Sequence, residues 1–66
     1  MLLIDSVTEL LKDGKWHHVR TLARKLDRPE ERIRAILEFC AEFDIVTFDW
    51  TRERVKIEET FKKLLT

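Results

Sequence analysis

The sequence predicts a mainly α-helical domain carrying one small β-hairpin, and three observations carry that prediction. Apolar residues recur every three or four positions over 2–12, 19–26 and 29–43, the signature of amphipathic helices. Between 46 and 57 the apolar period drops to two, which is strand spacing. The only glycine, Gly14, and the only proline, Pro29, fall where the first helical stretch ends and the third begins.

In the first helix, Leu3, Val7, Leu10 and Leu11 form one stripe with Ile4 beside it, and Asp5 and Glu9 suit the positive N-terminal end of the helix dipole. Asp13-Gly14 stops it, with glycine supplying the left-handed residue that commonly closes a helix. A short connector, Lys15 to His18, holds Trp16. The second helix, 19–26, buries Val19, Leu22, Ala23 and Leu26 and turns Arg20, Arg24 and Lys25 outward. Asp27-Arg28-Pro29 breaks the pattern, and Pro29, Glu30 and Glu31 begin a third helix to about 43. Ile33, Ile36, Leu37, Cys40 and Phe43 are its expected inner face. Asp44 should end it near the left-handed region, which Asp tolerates better than most residues. In the hairpin, pairing Trp50 with Val55 sets Phe48 opposite Ile57 on one face, leaving Thr51–Arg54 as a four-residue loop around a type I turn. Glu58 and Glu59 lead a last helix over 58–65, with Phe61, Leu64 and Leu65 on one side and Lys62 and Lys63 trailing. So short a helix must dock to persist.

The 66 residues suffice for one domain, 1–66, with a small core. One cysteine, Cys40, excludes an internal disulfide and is expected to be a small buried hydrophobe. No metal-ligand set is evident, and adjacent His17 and His18 would point to opposite sides of a strand, so no cofactor is expected. The lone glycine excludes a glycine-rich phosphate loop, and no nucleophile–base–orienter set stands out, so the chain does not read as an enzyme. Apolar runs stop at four residues, and the start lacks a signal peptide's basic region, pointing to a cytoplasmic protein. Charged residues make up 39% of the chain without a single Asn or Gln, a composition that fits a thermophile source. Net charge is zero, yet it is unevenly spread. Residues 15–34 hold seven cations against three carboxylates, and 51–57 hold three against one, so the acidic excess lies elsewhere. Such asymmetry makes a local attractive field without a basic isoelectric point.

The run Gly14-Lys15-Trp16-His17-His18-Val19-Arg20-Thr21-Leu22-Ala23-Arg24-Lys25-Leu26, followed by Ile33, Ile36, Leu37 and Asp44-Ile45-Val46, resembles the winged helix-turn-helix superfamily along nearly the whole chain. Two departures are Asp27 and Asp44, where that superfamily often has Gly or Asn, and a wing without glycine. The resemblance implies double-stranded DNA binding, as in a small transcriptional regulator, with the third helix in the major groove and the hairpin wing on the flanking backbone. On that footing Arg28, Glu31, Arg32 and Ala35 are placed to approach bases, with Arg34 nearer the flank. Arg32 leads because guanidinium can pair bidentately with guanine. Arg52 and Arg54 would reach phosphate or the minor groove, and Lys15, Arg20 and Arg24 backbone phosphates.

Each assignment has a plainer rival. Arg20, Arg24 and Lys25 also read as a solvated face, and Arg34 as an intrahelical partner of Glu38. Trp16 and Trp50 read as packing residues rather than base-stacking platforms, and one of the histidines as a helix-capping residue. The competing function is a winged-helix module for protein–protein contact, which the zero net charge and Glu30 and Glu31 favour. What separates the two is whether the second helix, the start of the third and the wing present one continuous positive face. A homodimer would use the first helix and the Phe61/Leu64/Leu65 side of the last, and the plainer rival is that these residues only close the monomer core.

Overall fold

The structure, a computed structural model, describes residues 3–65, with the side chain of Leu65 excepted. Four helices and three strands follow in the order α1 (Leu3–Leu11), β1 (His17–His18), α2 (Val19–Leu26), α3 (Glu30–Glu42), β2 (Val46–Asp49), β3 (Arg54–Ile57) and α4 (Glu59–Leu65). The strands form one antiparallel sheet in the order β1-β3-β2. The expected helix starts at Leu2 and the Leu65 part of the last helix's apolar side lie outside the described residues.

The core is built from α1, α2, α3, β2 and β3. Val7 and Leu11 of α1, Val19, Leu22 and Ala23 of α2, Ile33, Leu37 and Cys40 of α3, Val46 of β2, and Val55 and Ile57 of β3 are all buried. Among the described residues no polar side chain is buried with them. Phe61 of α4 packs against this core from its edge.

The helix breaks follow from backbone chemistry. Asp27 and Asp44 adopt left-handed conformations, with φ of 54° and 58°. After α2, the Arg28 amide donates to the Ala23 carbonyl at 3.0 Å and Asp27 to Arg24 at 3.3 Å. After α3, Ile45 donates to Cys40 at 2.9 Å and Asp44 to Ala41 at 3.2 Å. This paired pattern satisfies carbonyls that a helix end leaves free. Pro29 sits one position ahead of α3 as its cap rather than within its first turn. Its carbonyl still accepts from Arg32 and Ile33.

Two expectations are corrected. The hairpin register is displaced by two residues: Phe48 faces Val55, Val46 faces Ile57, and Asp49 faces Arg54. The loop is therefore 50–53, still four residues, and Trp50 stands in it rather than in a strand. Asp49 sets this geometry. Its carboxylate accepts from the Arg52 amide at 3.3 Å and from Arg54 Nε at 3.2 Å, and Glu53 closes the turn at φ 48°. A displacement of two keeps Phe48, Val55 and Ile57 on one face, but it takes Trp50 out of the strand and leaves it 55% exposed. The second correction concerns Phe43, expected on the inner face of α3 but 61% exposed. It follows the last residue of α3 and turns its ring toward Phe39 instead.

Gly14 has φ of 75°, and a Cβ there would meet only the flexible tip of Lys62. Gly14→Ala should therefore lose about 1 kcal/mol, set by left-handed strain rather than crowding. Leu37→Ala, at the fully buried centre of α3, should lose roughly 2–5 kcal/mol. Urea unfolding of the two variants measures both.

Candidate nucleic-acid interface

The turn geometry after α2 aims its outer face away from the core. Arg20, Thr21, Arg24 and Lys25 are all exposed there, and Arg28 continues the line past the helix end. No carboxylate lies on the exposed face of α2 itself. Arg28 Nη1 donates to the Asp27 carbonyl at 3.0 Å, which holds it beside the helix end. The hairpin tip approaches the start of α2, where the Val19 amide donates to the Glu53 carbonyl at 3.0 Å. Arg52, exposed on that tip, shares a hollow with His18, Arg20, Thr21, Glu30 and Glu53. Cations thus run from Arg28 through Arg24 and Arg20 to Arg52.

Carboxylates interrupt this band at one end. Arg20 Nε lies 3.9 Å from Glu30 Oε1, a loose pair with the arginine 77% exposed. Arg34 is bound to the Glu53 carboxylate across the gap between α3 and the hairpin, not to Glu38. Exposed pairs of this kind add only ~0.2–1 kcal/mol to stability. Their larger effect is to cancel charge where the sequence expected it to be free. Arg54 is held by Asp49 and lies 4.3 Å over the Trp16 ring, with Lys56 Nζ 4.9 Å from the same ring. Trp16 and Arg54 therefore pack together on the outer side of the sheet, and Trp50 stacks on Phe48 at 4.1 Å.

The remaining expected residues separate. Lys15 is exposed in the connector, its amide bonded to Asp13 Oδ1 at 2.9 Å. Arg24 and Arg52 have no ion pair among the described residues. Arg32 lies on the far side of α3, where it lines a groove with Leu3, Ile4, Ala35, Ile36 and Phe39. It is not part of the basic band. Directly opposite the core, α3 exposes Glu31, Ala35, Glu38 and Glu42, spaced so that one helical face is acidic. Lys25 joins the basic band, and its outward position was legible from helical periodicity. The acidic face was legible in the same way, by continuing the count beyond the first turn of α3.

Local electrostatics fix the two ends of the sheet. A hydrogen bond from His17 Nε2, 2.9 and 3.1 Å from the two carboxylate oxygens, holds the Asp13 carboxyl below its usual range, with help from the Lys15 amide. His17 thereby anchors β1. His18 occupies the cap position of α2 without a side-chain cap bond. Burial pulls the Asp49 carboxyl upward, but the Arg52 amide and the Arg54 guanidinium outweigh it and hold it below the usual value. Burial pushes the Cys40 thiol up. Among the described residues no cluster of three or more His, Cys, Asp or Glu could hold a metal ion, and no helix is long and apolar enough to cross a membrane.

Two outcomes follow. A lowered carboxyl stabilises the fold above its unfolded pKa, and that contribution is lost as pH falls through the folded value. Asp49→Asn should therefore lower the thermal midpoint at neutral pH and flatten its decline below about pH 4. Cys40 should resist a thiol reagent such as dithionitrobenzoate in the native state and react fully in denaturant. Comparison of the chain with protein-family models, curated proteins and solved structures finds no match.

Proposed function

We propose that the chain is a winged helix-turn-helix domain that docks on double-stranded DNA, chiefly through the phosphate backbone. The element order and the three-stranded sheet with its β2–β3 hairpin support the fold reading. The observation that carries the DNA reading is the exposed face of α2. Arg20, Arg24, Lys25 and Arg28 line it without a carboxylate of that helix among them, and Arg52 extends it onto the hairpin. Cations in such a line displace counterions from duplex DNA and bind it without regard to sequence.

The proposal departs from the usual use of the third helix. Glu31, Glu38 and Glu42 would set three carboxylates against DNA if the outer face of α3 entered the major groove. Base reading is therefore confined to the start of α3, and phosphate contacts dominate. A role in transcription regulation rests on the resemblance of the chain to small regulators. The second reading, a winged-helix module for protein contact, is favoured by that acidic face and by the Arg34–Glu53 pair.

Fluorescence anisotropy of a labelled mixed-sequence duplex, titrated at several salt concentrations, tests the proposal. About four phosphates neutralised per chain predicts a log–log salt slope near −3.6. Arg24→Ala and Arg52→Ala should each reduce that slope by about 0.9. Arg32→Ala should leave it unchanged, and Glu38→Gln with Glu42→Gln should strengthen binding. A folded protein that does not bind at low salt would overturn the DNA reading in favour of a protein partner.

A further inference from the structure

An exposed apolar band lies on the side of α3 away from the hairpin. Phe39 is 51% exposed and Phe43 61%. Their rings lie 4.8 Å apart and join two open grooves. One, of about 390 Å³, runs between the start of α1 and α3 and is lined by Leu3, Ile4, Arg32, Ala35, Ile36 and Phe39. The other, of about 400 Å³, lies between the end of α3 and α4, where Phe61 and the exposed Leu64 flank Phe43.

We propose that this band is the interface of a symmetric dimer in which the α3 helices of two copies lie side by side and antiparallel. Arg32, Ile36, Phe39 and Phe43 are spaced by four, three and four residues, the seam spacing of paired helices. A two-fold axis between positions 37 and 38 sets Ile36 opposite Phe39 of the partner subunit. The groove around Ile36, walled by Leu3 and Ile4 and floored by small Ala35, then receives that ring as a hole receives a knob. The same patch supplies both parts, as an isologous contact requires.

Charge identifies the second copy as the occupant. The Arg32 side chain has no ion pair or hydrogen bond among the described residues, and Glu42 has no ion pair there. Ten residues apart on one helix, they are separated by about 15 Å and cannot meet within a chain. The antiparallel axis sets Arg32 opposite Phe43 of the partner subunit and beside Glu42 of the partner subunit, and it does so twice. A standard interface needs ~800 Å² from each partner, and large side chains from three helices are available to supply it. The basic face of α2 and the hairpin tip stay uncovered, so this inference does not depend on DNA binding.

Sedimentation velocity across concentrations up to ~100 µM tests the proposal. The wild-type chain should sediment as a dimer at the upper end, and Phe39→Glu as a monomer. Arg32→Glu and Glu42→Arg should each weaken association by roughly tenfold or more, because each creates two like-charge contacts. The double variant Arg32→Glu/Glu42→Arg should recover most of that loss. Circular dichroism checks that each variant folds. Recovery cannot arise within one chain, so it is specific to the antiparallel pairing. A wild-type monomer at every concentration would overturn the proposal and leave the band to a different protein, and a dimer without recovery in the double variant would overturn it too.

Discussion

The structure depends on the burial of one face of α3. Ile33, Leu37 and Cys40 are wholly removed from water, and α1, α2 and both hairpin strands close over them. A chain of 66 residues has a small core, so no second helix could take over that role. Once that face is fixed, the other three follow by rotation about the helix axis. Glu30 and Arg34 turn toward α2 and the hairpin, Glu31, Ala35, Glu38 and Glu42 away from the core, and Arg32, Ile36, Phe39 and Phe43 toward α1 and α4. The helix thus separates a paired, an acidic and an apolar surface within thirteen residues.

This partition explains how a chain of zero net charge can keep a usable positive face. Glu30 and Glu53 draw on Arg20 and Arg34, and Asp49 takes Arg54. Arg24, Lys25, Arg28 and Arg52 are left facing solvent without an ion pair among the described residues. The pairs near the hairpin add little stability, but they set the limit of the basic band. The proposed phosphate contacts along α2 and the proposed apolar interface along α3 can coexist because they share no residue.

Much of the fold was legible in the sequence. Helical periodicity placed all four helices to within a residue or two, and Asp44 marked a left-handed closure despite the absence of glycine, whereas at Asp27 the sequence marked the break but not its left-handed backbone. The hairpin register was not legible, because alternation fixes only which residues share a face. Registers two residues apart satisfy it equally, and the choice fell to Asp49, through its bonds to Arg52 and Arg54. At the candidate site, outward cations were legible and their partners were not. Arg34 and Glu53 are nineteen residues apart in sequence and meet only because the hairpin folds back beside α3. Phe43 was misread because it continues the Ile36–Phe39 line on the flank of α3, not the buried Ile33–Leu37–Cys40 line.

The central claim is that α2 and the hairpin tip, rather than the outer face of α3, carry the DNA. Amide chemical-shift mapping during titration with an unlabelled duplex tests it most directly. The account predicts shifts concentrated at residues 18–28 and 50–53, with Glu38 and Glu42 unmoved. Shifts centred on Glu31, Ala35 and Glu38, with α2 silent, would contradict it.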